Sequence, residues 1–137
     1  MSVRRLNKEM KTYPDTGPIQ FRGLIDDDIT KQQWRIKPSG GRDIKVLVQV
    51  PHEYPFKAPK VTLVDNLFHP NVHDSKMCLD KLTSWAPKYT IPDIMEEVLS
   101  VLIVPNLSTA LNQEAADMYV SDHVAYQARV AAAQPEN

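Results

Sequence analysis

Apolar residues recur at two different periods along this chain, and the change of period divides it into elements. Val3, Leu6 and Met10 share one face of a helical repeat within residues 2–12, with Arg4, Arg5, Lys8 and Lys11 around the rest. Ser2 stands where an N-cap belongs. Tyr13-Pro14-Asp15-Thr16-Gly17-Pro18 then stops the helix. Four strand candidates follow, at residues 19–24, 31–37, 43–50 and 60–64. The third is the clearest, with Ile44, Val46, Val48 and Val50 on one side and Lys45 and Gln49 on the other. In the second, Trp34 and Ile36 share a face. Gly40-Gly41 predicts a tight hairpin turn between these two, and the short links predict an antiparallel meander.

Residues 65–89 have no clean period. A long unpatterned stretch inside a compact domain is uncommon and often functional. Regular structure resumes at Thr90, which reads as an N-cap with Pro92 in the first turn and Asp93 at the capping-box position. Ile94, Met95, Val98, Leu99, Leu102 and Ile103 form a broad stripe, and Val101 and Val104 extend it nearly all round, which predicts a central buried helix ending at Pro105-Asn106. A short helix is expected over 113–119. A last one is capped by Asp122, with Val124, Ala128 and Ala131-Ala132-Ala133 inward. The fold class is α+β: an N-terminal helix, a four-stranded antiparallel meander sheet, a central helix and two C-terminal helices.

Composition narrows the function. A chain of 137 residues is expected to be a single domain over 1–137, able to hold a core without staples. Sixteen basic and seventeen acidic residues leave a formal charge of -1, against a nucleic-acid partner, which favours a strong basic excess. The longest uncharged run, residues 98–113, is broken by Pro105, Asn106 and Asn112, so no membrane span is expected. No apolar stretch opens the chain, and the single cysteine has no disulfide partner within it. Both point to a reducing compartment, cytoplasmic or nuclear. Nothing indicates oligomerisation, and a monomer is expected.

The unpatterned stretch carries the candidate chemistry. Cys78 lies between a proline-rich corner and Trp85. A lone cysteine is often a small buried hydrophobe, but a thiolate is a strong nucleophile and suits acyl handling through a thioester. Asn71 has two readings, a carboxamide N–H aimed at a developing oxyanion, worth about 3 kcal/mol in acyl transfer, or a tie for its own loop. His69, His73, His52 and His123 raise a Cys–His hydrolase, but no spacing supplies the oriented base it needs. His69 precedes Pro70 and reads as structural. His69, His73, Cys78 and Asp80 are metal-ligand types without a recognised spacing, so no metal and no cofactor is expected.

Taken in order, several segments resemble the ubiquitin-conjugating enzymes. They are Tyr54-Pro55-Phe56-Lys57-Ala58-Pro59-Lys60-Val61, His69-Pro70-Asn71-Val72, Cys78-Leu79-Asp80, Trp85-Ala86-Pro87 with Thr90-Ile91, Pro105-Asn106, and Leu111-Asn112-Gln113-Glu114-Ala115-Ala116. The resemblance covers nearly the whole chain and implies the layout of helices and strands given above. It also implies an activity: an activating enzyme hands over ubiquitin, Cys78 holds it as a thioester, and a substrate lysine or a ligase takes it. By the same match Asn71 is the oxyanion or loop-holding residue, His69 and Pro70 are structural, and Asp80 flanks the lysine approach. Leu111, Asn106, Ser108 and Thr109 fall beside the thioester groove. Phe56, Trp85, Ala86 and Pro87, with Arg4, Arg5 and Lys8, form the surface for RING- or HECT-type ligases and the activating enzyme.

The chain departs from the family pattern in several places. The second hairpin is shorter than usual, and His73-Asp74-Ser75-Lys76 lacks the usual glycine. Leu107-Ser108-Thr109-Ala110 replaces a Pro-Asp-Asp-Pro stretch that brings an acidic residue to the mouth of the site. A free lysine is only about one part in a thousand neutral at pH 7.4. Discharge to free lysine therefore suffers more than transfer to a thiol. The chain starts at the first helix and lacks a Nedd-type extension, and no SUMO-type insertion follows the cysteine, so ubiquitin is favoured over those modifiers. A non-catalytic module on the same scaffold is the competing class.

Overall fold

The computed structural model describes residues 2–132. Helix α1 (Val3–Met10) begins where the side chain of Ser2 accepts the backbone N–H of Arg5, at 3.1 Å. Its buried residues are Leu6 and Glu9, while Val3 is exposed. The inward face is thus rotated from the one that apolar spacing alone marks, because Glu9 finds partners inside.

Strands β1 (Ile19–Ile25), β2 (Asp28–Ile36), β3 (Ile44–Gln49) and β4 (Lys60–Leu63) form a meander in that order, every pair antiparallel. The register lines up Phe21, Trp34, Val46 and Leu63 in one row and Gln32, Val48 and Val61 in the next. One face is therefore an apolar layer interrupted by the buried Gln32, and Lys31, Arg35, Lys45 and Lys60 stand on the other. Between β2 and β3 the tight turn is real, Gly41 N–H donating to Pro38 O at 2.9 Å with Gly40 at φ 73°. It lies inside the longer link of residues 37–43.

The unpatterned stretch contains regular structure too short to show a period. Strands β5 (Val72–His73) and β6 (Lys76–Met77) make a small hairpin, followed by helix α2 (Asp80–Thr83). Asp74 and Ser75 turn the hairpin at φ 49° and 64°, the left-handed region where glycine is usual. The hairpin is bound to the sheet by Leu63 N–H donating to Ser75 O at 2.7 Å.

Helix α3 (Ile91–Ile103) opens on the expected capping box, Thr90 and Asp93 each taking the other's backbone N–H. Ile91, Ile94, Met95 and Val98 are buried against the sheet, each removal from water worth roughly 1.5–3 kcal/mol. The burial is not all round: Ile103 and Val104 are exposed where the helix passes beyond the sheet. A 3-10 turn (Leu107–Thr109) leads to helices α4 (Gln113–Ser121) and α5 (His123–Ala132). Asp122 does cap α5, its carboxylate accepting from Ala125 N–H at 3.1 Å. The inward residue of α5 is Tyr126 rather than the alanine and valine side. Val124 is 78% exposed, and Ala128 and Ala131 are exposed as well. Tyr126 seats the helix through aromatic contacts with Phe68 and Tyr119. Ala133 lies outside the described residues. No helix among the described residues is long and apolar enough to cross a membrane.

Candidate active site

Cys78 follows β6 and precedes α2, and it is partly exposed. Its backbone N–H donates to Asn71 O at 3.3 Å, which brings together two residues that the sequence separates by the whole β5–β6 hairpin. Leu79, next in the chain, is buried and roots the segment in the core. Asp80 is exposed, and its backbone N–H is taken by Glu97 of α3.

Asn71 is fully buried. Its carboxamide donates to Asn106 O at 2.8 Å and to Thr109 O at 3.3 Å, while its oxygen accepts from Asn106 N–H at 2.8 Å. Both amide hydrogens are thus engaged by the turn at residues 106–109. Of the two readings of Asn71, this geometry is that of the loop tie, and no donor of the side chain is left facing the thiol. Pro70 O completes the junction by accepting from Leu111 and Asn112 N–H at 2.8 and 3.0 Å.

His69, before Pro70, is buried. Its Nδ1 accepts the backbone N–H of Asn71 at 3.0 Å, which places the proton of the neutral ring on Nε2. Nε2 is buried without a partner of hydrogen-bond geometry. Burial drives its pKa down from 6.5 to about 4, with the nearby Val101 and Leu102 backbones pulling weakly the other way. It is neutral at physiological pH, and its Nδ1 is occupied. His52, His73, which pairs with Asp74 at 3.3 Å, and His123, beside Tyr119, are exposed, and none of them is hydrogen-bonded to Cys78. The oriented base of a Cys–His hydrolase is therefore not assembled. Among the described residues no group of three His, Cys, Asp or Glu side chains could hold a metal ion.

The turn at residues 106–111 carries no charged side chain. Ser108 is exposed and donates from Oγ to Asn106 Oδ1 at 2.7 Å, and that same oxygen caps the 3-10 turn through Ser108 N–H. Leu107 and Leu111 are exposed beside it. The cavity of about 410 Å³ between Arg42, Phe68, Leu102 and Tyr126 is not lined by Cys78.

Around α1, the residues expected together divide into two groups. Phe56 is 81% exposed, and Arg4, Lys8 and Pro87 are also exposed. Trp85 is partly buried, its indole N–H donating to Pro55 O at 2.8 Å with Tyr54 and Tyr89 against its ring. Ala86 is partly buried beside it. Arg5 differs from the expected contact residue. Its guanidinium donates to Pro87 O at 2.8 Å, to Tyr89 O and to Glu9, so it binds α1 to the loop at residues 85–89 rather than facing outward. Glu9 is the centre of this junction, accepting from Tyr54 Oη at 2.7 Å and Ile91 N–H at 2.6 Å besides Arg5 at 3.1 Å. Sequence reasoning missed Glu9 and Glu97. The only local signal was for Glu9, an acid three residues beyond Leu6 on the inward side of α1.

The chain that carries this cysteine has matches among known proteins. The family model described as ubiquitin-conjugating enzyme matches residues 5–134. The chain belongs to the ubiquitin-conjugating enzyme family. The E2 domain of a Toxoplasma gondii ubiquitin conjugating enzyme superimposes with a TM-score of 0.83 at 24% identity, covering 94% of each chain. A candidate ubiquitin conjugating enzyme from Plasmodium yoelii superimposes with a TM-score of 0.83 at 25% identity, covering 95% of this chain and 90% of that one. The fold is thus that of the ubiquitin-conjugating enzymes, and the family supports a ubiquitin-conjugating type of function.

Proposed function

We propose that this member of the family is a working carrier, an acyltransferase that takes ubiquitin from an activating enzyme as a thioester on Cys78. The observation that carries the reading is the thiol itself: the chain's one cysteine is unpaired and partly exposed, beside the Asn71-anchored turn. In loading, the Cys78 sulfur attacks the thioester carbonyl held by the activating enzyme. The new Sγ–C bond forms as the old S–C bond breaks, and the departing thiolate receives the proton that Cys78 gives up. Discharge repeats the exchange with an acceptor amine or thiol.

The acceptor is more readily a ligase thiol than a free lysine. Neither Ser108 nor Thr109 takes a proton from an ammonium, and the only carboxylate in the segment after the thiol belongs to Asp80. The outward surface of Phe56, Pro87, Arg4 and Lys8 fits the ligase and the activating enzyme, with Trp85, Ala86 and Arg5 shaping it from behind. A free thiol with no pairing partner suits the reducing cytoplasm or nucleus.

The test is a loading gel without reductant, using activating enzyme, ATP and ubiquitin, Nedd-type or SUMO-type modifier in parallel. A reductant-sensitive adduct with ubiquitin, lost in Cys78→Ala, is expected. No adduct with any modifier, together with ubiquitin binding seen by NMR, would instead establish a non-catalytic module.

A further inference from the structure

Helix α2 begins immediately after the segment that carries the thiol, rooted by the buried Leu79 before it and the partly buried Leu82 within it, but no side chain of its own caps its first turn. Its N-cap position is Leu79, whose side chain has no oxygen for the free amides of the first turn, and none of its residues is buried. The capping falls to a side chain on α3. Glu97 accepts the backbone N–H of Asp80 through Oε2 at 2.6 Å and that of Lys81 through Oε1 at 3.0 Å. The two oxygens of one carboxylate thus grip two successive amides, in charge-assisted bonds stronger than neutral ones. On the upstream side, Cys78 N–H is held by Asn71 O at 3.3 Å. The thiol stands between two anchors, one on each side, and Glu97 supplies the downstream one.

We propose that Glu97 is a positioning residue for acyl transfer at Cys78, fixing the backbone that follows the thiol so that Sγ is presented at a constant angle and depth. The proposal rests on the carrier reading above. Glu97 acts through the backbone and does not touch the reacting atoms. Thioester exchange requires the reacting atoms near 3–3.5 Å and aligned, and a displacement of about 1 Å is enough for a hundredfold loss. Leu79 and Leu82 root this one-turn helix in the core, and the angle of its start depends on what grips its first amides.

The experiment compares the full chain with Glu97→Ala and Glu97→Gln. In Glu97→Ala the kcat for loading and the discharge rate to a free thiol are expected to fall on the order of tenfold. KM for charged activating enzyme should stay unchanged, since Glu97 bonds to Asp80 and Lys81 and to no residue of the Phe56 and Lys8 surface, and Tm should fall by roughly 4 °C. Glu97→Gln keeps one carbonyl acceptor and should recover part of the rate. Hydrogen exchange at the Asp80 and Lys81 amides should accelerate in Glu97→Ala and leave the α3 amides unchanged. Equal rates of loading and discharge in wild type and Glu97→Ala would overturn the proposal while leaving the carrier reading intact. So would unchanged exchange at those two amides. A wild-type chain that forms no thioester overturns the carrier reading, and the proposal with it.

Discussion

Asn71→Ala separates two roles that a buried asparagine beside an acyl-transfer cysteine could play. The substitution deletes three hydrogen bonds to the turn at 106–109, at 2.8, 2.8 and 3.3 Å. A net hydrogen bond is worth about 1 kcal/mol. The turn is partly exposed, so water replaces some of what is lost, and the expected destabilisation is about 2 kcal/mol rather than the full sum. For a chain of this length that corresponds to a fall in Tm of roughly 8 °C. Because Asn71 also holds the Cys78 backbone N–H, loosening it should slow loading and discharge together. An oxyanion donor makes the opposite pattern. Stability would hardly change, loading would be normal, and discharge to an amine alone would drop by about 3 kcal/mol, or a hundredfold. The assay is a thermal melt by circular dichroism, paired with single-turnover loading and lysine discharge on the same preparation. An unchanged Tm with a selective loss of discharge would refute the tether.

Two further outcomes follow from buried polar groups. Glu9→Ala removes the acceptor shared by Arg5, Tyr54 Oη and Ile91 N–H, leaving the last two buried and unpaired, and should cost about 3 kcal/mol in urea denaturation. A loss below about 1 kcal/mol would mean that α1 is not held through this junction. His69 has a folded pKa near 4 against 6.5 when unfolded, so the unfolded chain takes up the proton first as pH falls. Its contribution is fully present above pH 6.5 and declines as pH drops toward 4, by at most about 3 kcal/mol. The stability-against-pH curve of His69→Gln should be flatter over that window, and parallel curves for the two proteins would contradict the burial of a neutral ring.

How much of this was legible beforehand differs from element to element. Local chemistry determined the starts of helices. Ser2, Thr90 and Asp122 are acceptors within reach of the amide three residues ahead, so their roles need no knowledge of the rest of the chain. Alternation determined β3, because its two faces meet different solvents. The irregularity of residues 65–89 marked the candidate site, and the ordered motifs around Cys78 marked the family.

Tertiary structure alone decided the rest. Glu97 reaching Asp80, Glu9 reaching Tyr54 and Ile91, Arg5 reaching Pro87, and Asn71 reaching Asn106 are all bonds between residues far apart in the chain. A periodic pattern averages over side-chain type, so a charged residue on an inward face registers only as a flaw in the pattern. Whether it finds a partner there depends on which segment packing brings opposite it. The same holds for α5, where one tyrosine against Phe68 and Tyr119 outweighed a side rich in alanine, because a large ring buries more surface than several methyl groups.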